Sequence, residues 1–232
     1  MTLILLLACK PPQPAAEPAQ PAVILDGQPI AVEWDDGDTF NSPRAGGDPL
    51  KARLAGFNTL ESYGPVHRWG EWEPRELYAI AKDAGNRAGA EVWECQVLPG
   101  GGGYGRELVD CPGLRRAMLE EGYAHVFMAG EETQADPADL AAQKQAQDRG
   151  RGIWAKGVPA GIVTSLHSLD EKKDQEKTYN RVADTATGEA GKRWHTDSYR
   201  SCQEVCEPDA ASCMVYVPYR ERYGDGRAIC IQ

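Results

Sequence analysis

The sequence predicts an α+β fold: a barrel of about five short strands with about three helices packed around it, followed by a small disulfide-rich annex. Three observations predict it. Short apolar runs separated by Gly, Pro and Asp turns open the folded part of the chain. Helically spaced stretches then alternate with extended ones, in the order helix, hairpin, helix, strand, helix. Four of the seven cysteines crowd into residues 202–230, in a region too small to bury a core of its own without cross-links. A small barrel with this order of elements is of the OB-fold type.

Residues 23–25 and 30–34 are apolar runs around the turn Asp26-Gly27-Gln28-Pro29 and read as a hairpin. An acidic turn, Asp35-Asp36-Gly37-Asp38, follows, and Thr39-Phe40 restarts an extended segment. Residues 41–48 read as a loop and residues 50–57 as a further strand, which carries Arg53. Residues 62–72 are polar and aromatic without periodicity and read as a surface loop, where His67, Arg68 and Trp69 offer a possible lining for a nucleic-acid groove. Glu73-Pro74 opens a helix, since proline suits the first turn, and Leu77, Ile80, Ala81 and Ala84 keep helical spacing to about Ala88. Residues 91–98 alternate as a half-buried strand, residues 99–103 make a glycine-rich turn, and residues 107–111 are the partner strand. A second helix over 114–121 stops at Gly122, residues 123–128 form a strand, and Asp136-Pro137 starts a third helix that runs to about Asp148. Ile153-Trp154 closes the domain as an apolar anchor, with Trp93 and Phe127 also expected in the core and His125 expected to be structural. The resulting division is 23–157 for the barrel domain, 158–177 for a linker with a solvated charged run, and 178–232 for the annex. Tyr216, Tyr219 and Tyr223 are expected to pack around its disulfides.

A chain of 232 residues with 41% hydrophobic content can bury a sizeable core without being a membrane protein. Its net charge of −10 disfavours broad coating of duplex phosphate, and leaves room for a local cationic pocket or a site that recruits a divalent cation.

The N-terminus reads as an export signal. Residues 2–8 are apolar and run into Leu6-Leu7-Ala8-Cys9, which is similar to a bacterial lipobox whose cysteine becomes lipidated after cleavage. The run is too short to span a bilayer and lacks a positively charged start, so the true signal is expected to begin upstream of Met1. Residues 10–22 are a Pro/Ala-rich tether. The expected location is the cell envelope or extracellular face, with a lipid anchor on Cys9. The remaining cysteines, Cys95, Cys111, Cys202, Cys206, Cys213 and Cys230, are even in number and read as disulfides. Their spacing puts Cys95 and Cys111 in the first domain and leaves the pairing of the other four open. A zinc site on those four, with His195, is the alternative, although C-x3-C-x6-C-x16-C lacks the close cysteine pairs of common zinc sites.

The chemistry concentrates in three places. Arg53-Leu54-Ala55-Gly56-Phe57-Asn58-Thr59-Leu60-Glu61 begins with a cation and closes on a carboxylate. Asp36-Gly37-Asp38-Thr39 lies upstream and Tyr104-Gly105-Arg106 downstream. Hydrolysis of a phosphodiester needs a base for water, cations for the charge that builds on the phosphate oxygens, and often a metal. Glu61 suits the base, Arg53 and Arg106 can each fork onto a phosphate, and Asp38, Asn58 and the Thr59 main chain offer hard oxygens suited to Ca²⁺.

These segments, with a closing Gly152-Ile153-Trp154, resemble in order and rough spacing the fingerprint of the thermonuclease, or staphylococcal nuclease, family: D-G-D-T, R-L-x-x-x-D-T-P-E, Y-G-R and G-I-W. The resemblance covers about residues 23–157. It implies a Ca²⁺-dependent nuclease acting on DNA and RNA, with single-stranded or flexible segments preferred, that cuts the 5′ P–O bond and leaves 3′-phosphate ends. Carried over, Glu61 handles the attacking water, Arg53 and Arg106 stabilise the transition state, Asp38, Asn58 and Thr59 hold calcium, and Tyr104 contacts a phosphate. Two positions of D-T-P-E depart from the pattern, Asn58 standing for Asp and Leu60 for Pro, and Gly102 stands where an acidic residue is common. The lost charges predict weaker metal binding with the transition-state residues intact. The alternative expectation is a weakly active or silent module that binds nucleic acid or protein at the envelope; no protein partner is otherwise inferred.

Overall fold

The computed structural model describes residues 23–43, 48–62, 64, 66–129, 134–171 and 174–231. Cys9 and the Pro/Ala-rich tether lie outside the described residues. The chain opens with β1 (Val23–Leu25), β2 (Gln28–Ile30), β3 (Glu33–Trp34), β4 (Thr39–Ser42), β5 (Leu50–Leu54), β6 (Phe57–Thr59) and β7 (Val66–Trp69). Helix α1 (Pro74–Ala88) leads to β8 (Trp93–Leu98), β9 (Glu107–Asp110), α2 (Pro112–Glu121), β10 (Ala124–Val126) and α3 (Pro137–Asp148). The C-terminal region holds β11 (Gly161–Ser165), β12 (Thr178–Asp184), β13 (Ala190–His195), β14 (Glu204–Glu207) and β15 (Ser212–Val215).

The fold is α+β, as the element order predicts, but its main sheet has seven strands rather than five. Their order is β2-β1-β8-β9-β5-β4-β3, with β1–β8 and β5–β9 parallel and the other pairs antiparallel. The sheet curls as a half-barrel around Phe40, Ala52, Leu54, Val109, Leu114 and Met118, all fully or almost fully buried. The strand expected over residues 50–57 is broken at Gly56, whose φ of +82° a side chain would strain and whose added Cβ would sit 2.8 Å from Arg115 Cδ. That break turns β6 out of the main sheet to pair with β10 instead. It also separates Arg53 from Asn58 by a tight turn.

The helices start and stop where the sequence signals them. Glu76 Oε2 accepts the Glu73 N–H at 3.1 Å at the start of α1, Asp136 Oδ1 accepts the Ala138 N–H at 2.8 Å at the start of α3, and Gly122 takes the left-handed conformation after α2. Leu60, Trp69, Trp72, Leu77, Ile153 and Trp154 make a second apolar cluster between α1 and the end of the first domain. Each such side chain contributes about 1.5–3 kcal/mol on burial.

Two stretches differ from the sequence expectation. Residues 62–72 contain β7, buried at Val66, His67 and Trp69, rather than forming a surface loop, so His67 and Trp69 do not line an open groove. The segment 158–177 contains β11, which is buried from Gly161 to Thr164, paired with β12 and followed by a 3-10 turn at Leu169–Glu171; it is not a plain linker. The C-terminal region is also joined to the preceding part of the chain by a sheet. β15 pairs antiparallel with β7, with Met214 opposite His67 and Val215 opposite Val66. Arg68 forks onto Glu204 at 2.5 and 2.6 Å across this junction. Buried Gln143 accepts the Val126 N–H and donates to the Thr185 carbonyl, each at 2.6 Å, tying α3 to both parts.

Cys95 bridges to Cys111, Cys202 to Cys230 and Cys206 to Cys213. The last two bridges use all four cysteines of the zinc alternative and leave no thiolate there to hold a metal. A 28-residue separation makes the Cys202–Cys230 link worth about 3–4 kcal/mol in the chain-entropy account. Three bridges place the chain in an oxidising, extracellular or exported setting. Among the described residues, no helix is long and apolar enough to cross a membrane.

Candidate active site

The site is built on the turn before β4, the β5–β6 corner and the glycine loop between β8 and β9. In the first, Asp36 Oδ1 accepts the Asp38 N–H at 3.1 Å. Gly37 packs closely there: a Cβ would fall 2.6 Å from both Met118 Cε and Thr59 Cγ2, and those side chains would have to shift. The close approach aims Asp38, 2% exposed, into the protein. Its Oδ2 accepts the Thr59 N–H at 2.7 Å and the Thr59 hydroxyl at 3.1 Å. Its Oδ1 accepts the Thr39 hydroxyl at 3.0 Å and forms an ion pair with Arg53.

Arg53 sits at the centre. Its Nη2 donates to Asn58 Oδ1 at 2.6 Å and to the Phe57 carbonyl at 3.4 Å, and its guanidinium lies 5.7 Å from the Phe127 ring centroid. Burial lowers its pKa to about 10, opposed by the Asp36 charge, so it stays protonated at neutral pH. Asn58 Nδ2 donates to the Thr59 carbonyl at 2.5 Å. Asp38, Arg53, Asn58 and Thr59, named separately from the sequence, thus form one hydrogen-bonded unit.

Glu61 follows directly after buried Leu60, which fills the second apolar cluster where the fingerprint has proline. Its backbone N–H donates to His67 Nε2 at 3.2 Å. Burial holds the His67 pKa down to about 3, with His125 adding to the effect. The ring is therefore neutral and Nε2 is free to accept. Its Nδ1 faces the Val163 backbone without a well-formed hydrogen bond. Burial also raises the Glu61 carboxyl pKa above its ordinary value, and Asp36 adds to that; Arg222, Arg53 and Arg106 oppose it. Asp36 is raised to about 6, chiefly by burial, with Arg53 opposing and Asp35 adding. A cleft lined by Trp34, Asp35, Ser62, Lys82 and Asn86 opens beside this group.

Arg106 and Tyr104 stand at the rim. Arg106 donates to the carbonyls of Gly103 at 3.2 Å and Gly102 at 3.1 Å, and lies 5.8 Å from the Tyr104 ring centroid. A guanidinium carries five N–H donors, so these bonds leave others for a ligand. Its charge is felt at Asp36, Arg53 and Glu61. Tyr104 is 87% exposed, in the left-handed region at φ +53°. Gly102 packs so closely that a Cβ would be 2.7 Å from Arg53 Cβ and 3.0 Å from the Glu107 carbonyl oxygen. A glycine at this position lets the Arg106 loop rest against Arg53.

Three participants were not legible as such from the sequence. Asp36 carries no role of its own in the D-G-D-T segment, His67 falls in a stretch that reads as a surface loop, and Arg222 belongs to the C-terminal region. Only the D-G-D spacing signals Asp36; His67 lies on β7, whose pairing with β15 no local pattern announces, and Arg222 follows β15 at the end of a 3-10 turn. The donors for a cation, Asp38, Asn58 Oδ1, the Thr59 carbonyl and nearby Asp36, are hard oxygens of the kind Ca²⁺ takes. Arg53 competes with such an ion, since it already pairs with both Asp38 and Asn58. No family model and no curated protein matches the chain.

Proposed function

We propose that the chain is an exported, Ca²⁺-dependent phosphodiesterase that hydrolyses DNA and RNA, and that its curled sheet with α2 is an OB-type barrel of the thermonuclease kind. The observation that carries the reading is that Asp38, Arg53, Asn58 and Thr59 form one hydrogen-bonded unit, with the loop that carries Arg106 resting against Arg53 at Gly102 and Glu61 two residues after Thr59.

In this reading Glu61 accepts a proton from water as the water attacks phosphorus. The raised pKa makes it a stronger base than an ordinary carboxylate. Arg53 and Arg106 neutralise the charge that builds on the non-bridging oxygens, and the 5′ P–O bond breaks, the departing oxygen taking a proton from solvent, to leave a 3′-phosphate and a 5′-hydroxyl. His67 holds the Glu61 backbone so that the carboxylate enters the site in one orientation. Bound by Asp38, Asn58 and the Thr59 carbonyl, Ca²⁺ would supply positive charge next to the phosphate. The anchor on Cys9 would keep the enzyme at the envelope.

One observation favours the second reading, a weakly active or silent binding module: Arg53 is engaged by Asp38 and Asn58 within the protein. Digestion of single-stranded DNA in Ca²⁺ or in EGTA decides between them. The enzyme reading expects cleavage that EGTA stops. Absence of cleavage at every Ca²⁺ concentration up to the millimolar range rejects it in favour of the binding module.

A further inference from the structure

The annex presents a second feature outside the network around Arg53. On adjacent strands β12 and β13, Tyr179 is opposite Trp194 and Arg181 is opposite Lys192. Residues directly opposite in an antiparallel pair share a face, and so do residues two apart, so these four side chains stand together. The Tyr179 and Trp194 rings are 5.3 Å apart, edge to face. Lys192 Nζ lies 4.7 Å from the Tyr179 centroid and 5.6 Å from that of Trp194. Lys177 Nζ lies 4.9 Å from the Trp194 centroid and the Arg181 guanidinium 5.7 Å from that of Tyr179. Trp194 is still 55% exposed. Among the described residues, no carboxylate pairs with Lys177, Arg181 or Lys192. The nearby Glu171 is taken up by the Tyr216 hydroxyl at 2.7 Å and by His167 at 3.6 Å. A chain of net charge −10 has collected on one sheet face two rings and three cations that pair with no carboxylate among the described residues.

This face adjoins the candidate active site. Ile162 and Ala183 lie opposite one another on the same side of the sheet as Arg181, and Ile162 packs in the cluster that contains Leu60, next to Glu61. The β12–β13 turn is fastened to the segment just after β10, with Met128 N–H donating to the Gly188 carbonyl at 2.8 Å and Ala190 N–H to the Met128 carbonyl at 2.9 Å. The neighbouring residue, Phe127, carries the ring beneath Arg53. The Arg181 charge is felt at Arg53 itself. The Arg181–Lys192 rung is nearest the site, and the Tyr179–Trp194 rung lies about 7 Å further out along the strands.

We infer that the Tyr179, Arg181, Lys192, Trp194 and Lys177 face binds single-stranded nucleic acid, stacking bases on the rings and pairing phosphates with the cations, and leads the strand to Arg53. The role in leading substrate to Arg53 rests on the nuclease reading; the binding itself does not. Cations that accept phosphate and rings that accept any base are the two parts a sequence-tolerant single-strand site needs. A duplex, whose bases are stacked internally, offers the rings nothing.

The test is anisotropy of a fluorescein-labelled oligothymidylate titrated with the full chain in EGTA. Trp194→Ala is expected to weaken binding about tenfold, in the range found for losing a base–aromatic stack, and Trp194→Phe to restore most of it. Lys192→Gln is expected to flatten the salt dependence. Cleavage of a dinucleotide is expected to be unchanged by Trp194→Ala, while the KM for a long strand rises. Equal affinity of wild type and Trp194→Ala overturns the inference, as does tighter binding of duplex than of single strand. Equally Trp194-dependent binding of a sulfated polysaccharide overturns the assignment to nucleic acid. If wild type binds the oligonucleotide through Trp194 yet never cleaves it, the nuclease reading fails and the binding face stands.

Discussion

Replacing Asp36 by Asn removes a charge and leaves an oxygen to accept the Asp38 N–H. The folded protein raises the Asp36 pKa from 3.8 to about 6, through burial first. A shift of about two units at 1.36 kcal/mol each corresponds to at most about 3 kcal/mol. Asp36 keeps part of its surface in solvent, and screening reduces the expected effect to about 1–2 kcal/mol. The sign follows from which state holds the proton. With the folded pKa above the unfolded one, the stability this group contributes is fully present below pH 3.8 and is lost as the pH rises through 6. Asp36→Asn should therefore match wild type near pH 3.8 and be more stable by about 1–2 kcal/mol at pH 7.5. Urea unfolding at the two pH values, with disulfides intact, measures this. Added Ca²⁺ should narrow the gap at pH 7.5, by binding wild type more tightly than the variant. A stability difference of the same size at both pH values would refute the raised pKa of Asp36.

Three further outcomes follow from the same geometry. Asn58→Asp adds a second carboxylate and removes the amide that donates to the Thr59 carbonyl; Ca²⁺ affinity measured by calorimetry should rise at least several-fold. Gly102→Ala places a Cβ 2.7 Å from Arg53 Cβ; it should cost about 1–3 kcal/mol in urea unfolding and lower kcat by displacing Arg53. His67→Phe leaves the Glu61 N–H without its acceptor; it should cost about 1–3 kcal/mol, and lower kcat more than it raises KM.

Much of the first domain was legible because its signals are local. Glu73-Pro74 and Asp136-Pro137 start α1 and α3, Gly122 stops α2, and the two strands around the glycine turn bring Cys95 and Cys111 to one bridge. β7 is not legible at residues 66–69 because Val-His-Arg-Trp has no alternating pattern and its partner strand, β15, lies far along the chain. β11 was hidden for the same reason, since its partner β12 follows a stretch of charged residues. The pairing of Cys202 with Cys230 and Cys206 with Cys213 depends on how the annex folds and not on spacing. In the site, Asp38, Arg53, Asn58, Thr59 and Glu61 were legible because they fall in two short segments. That Arg53 binds Asp38 and Asn58, and that annex residues enter its surroundings, is tertiary information.

The most direct test of the proposed activity is single-turnover cleavage of a labelled single strand by wild type and Glu61→Gln across pH 5–9 in Ca²⁺. With Glu61 as the base, the wild-type rate rises with pH through a carboxyl pKa above the ordinary range. Glu61→Gln loses about 10²–10⁴-fold in rate and the pH limb with it, while folding and oligonucleotide binding stay as in wild type. Cleavage by Glu61→Gln at the wild-type rate, with the same pH limb, would contradict the account.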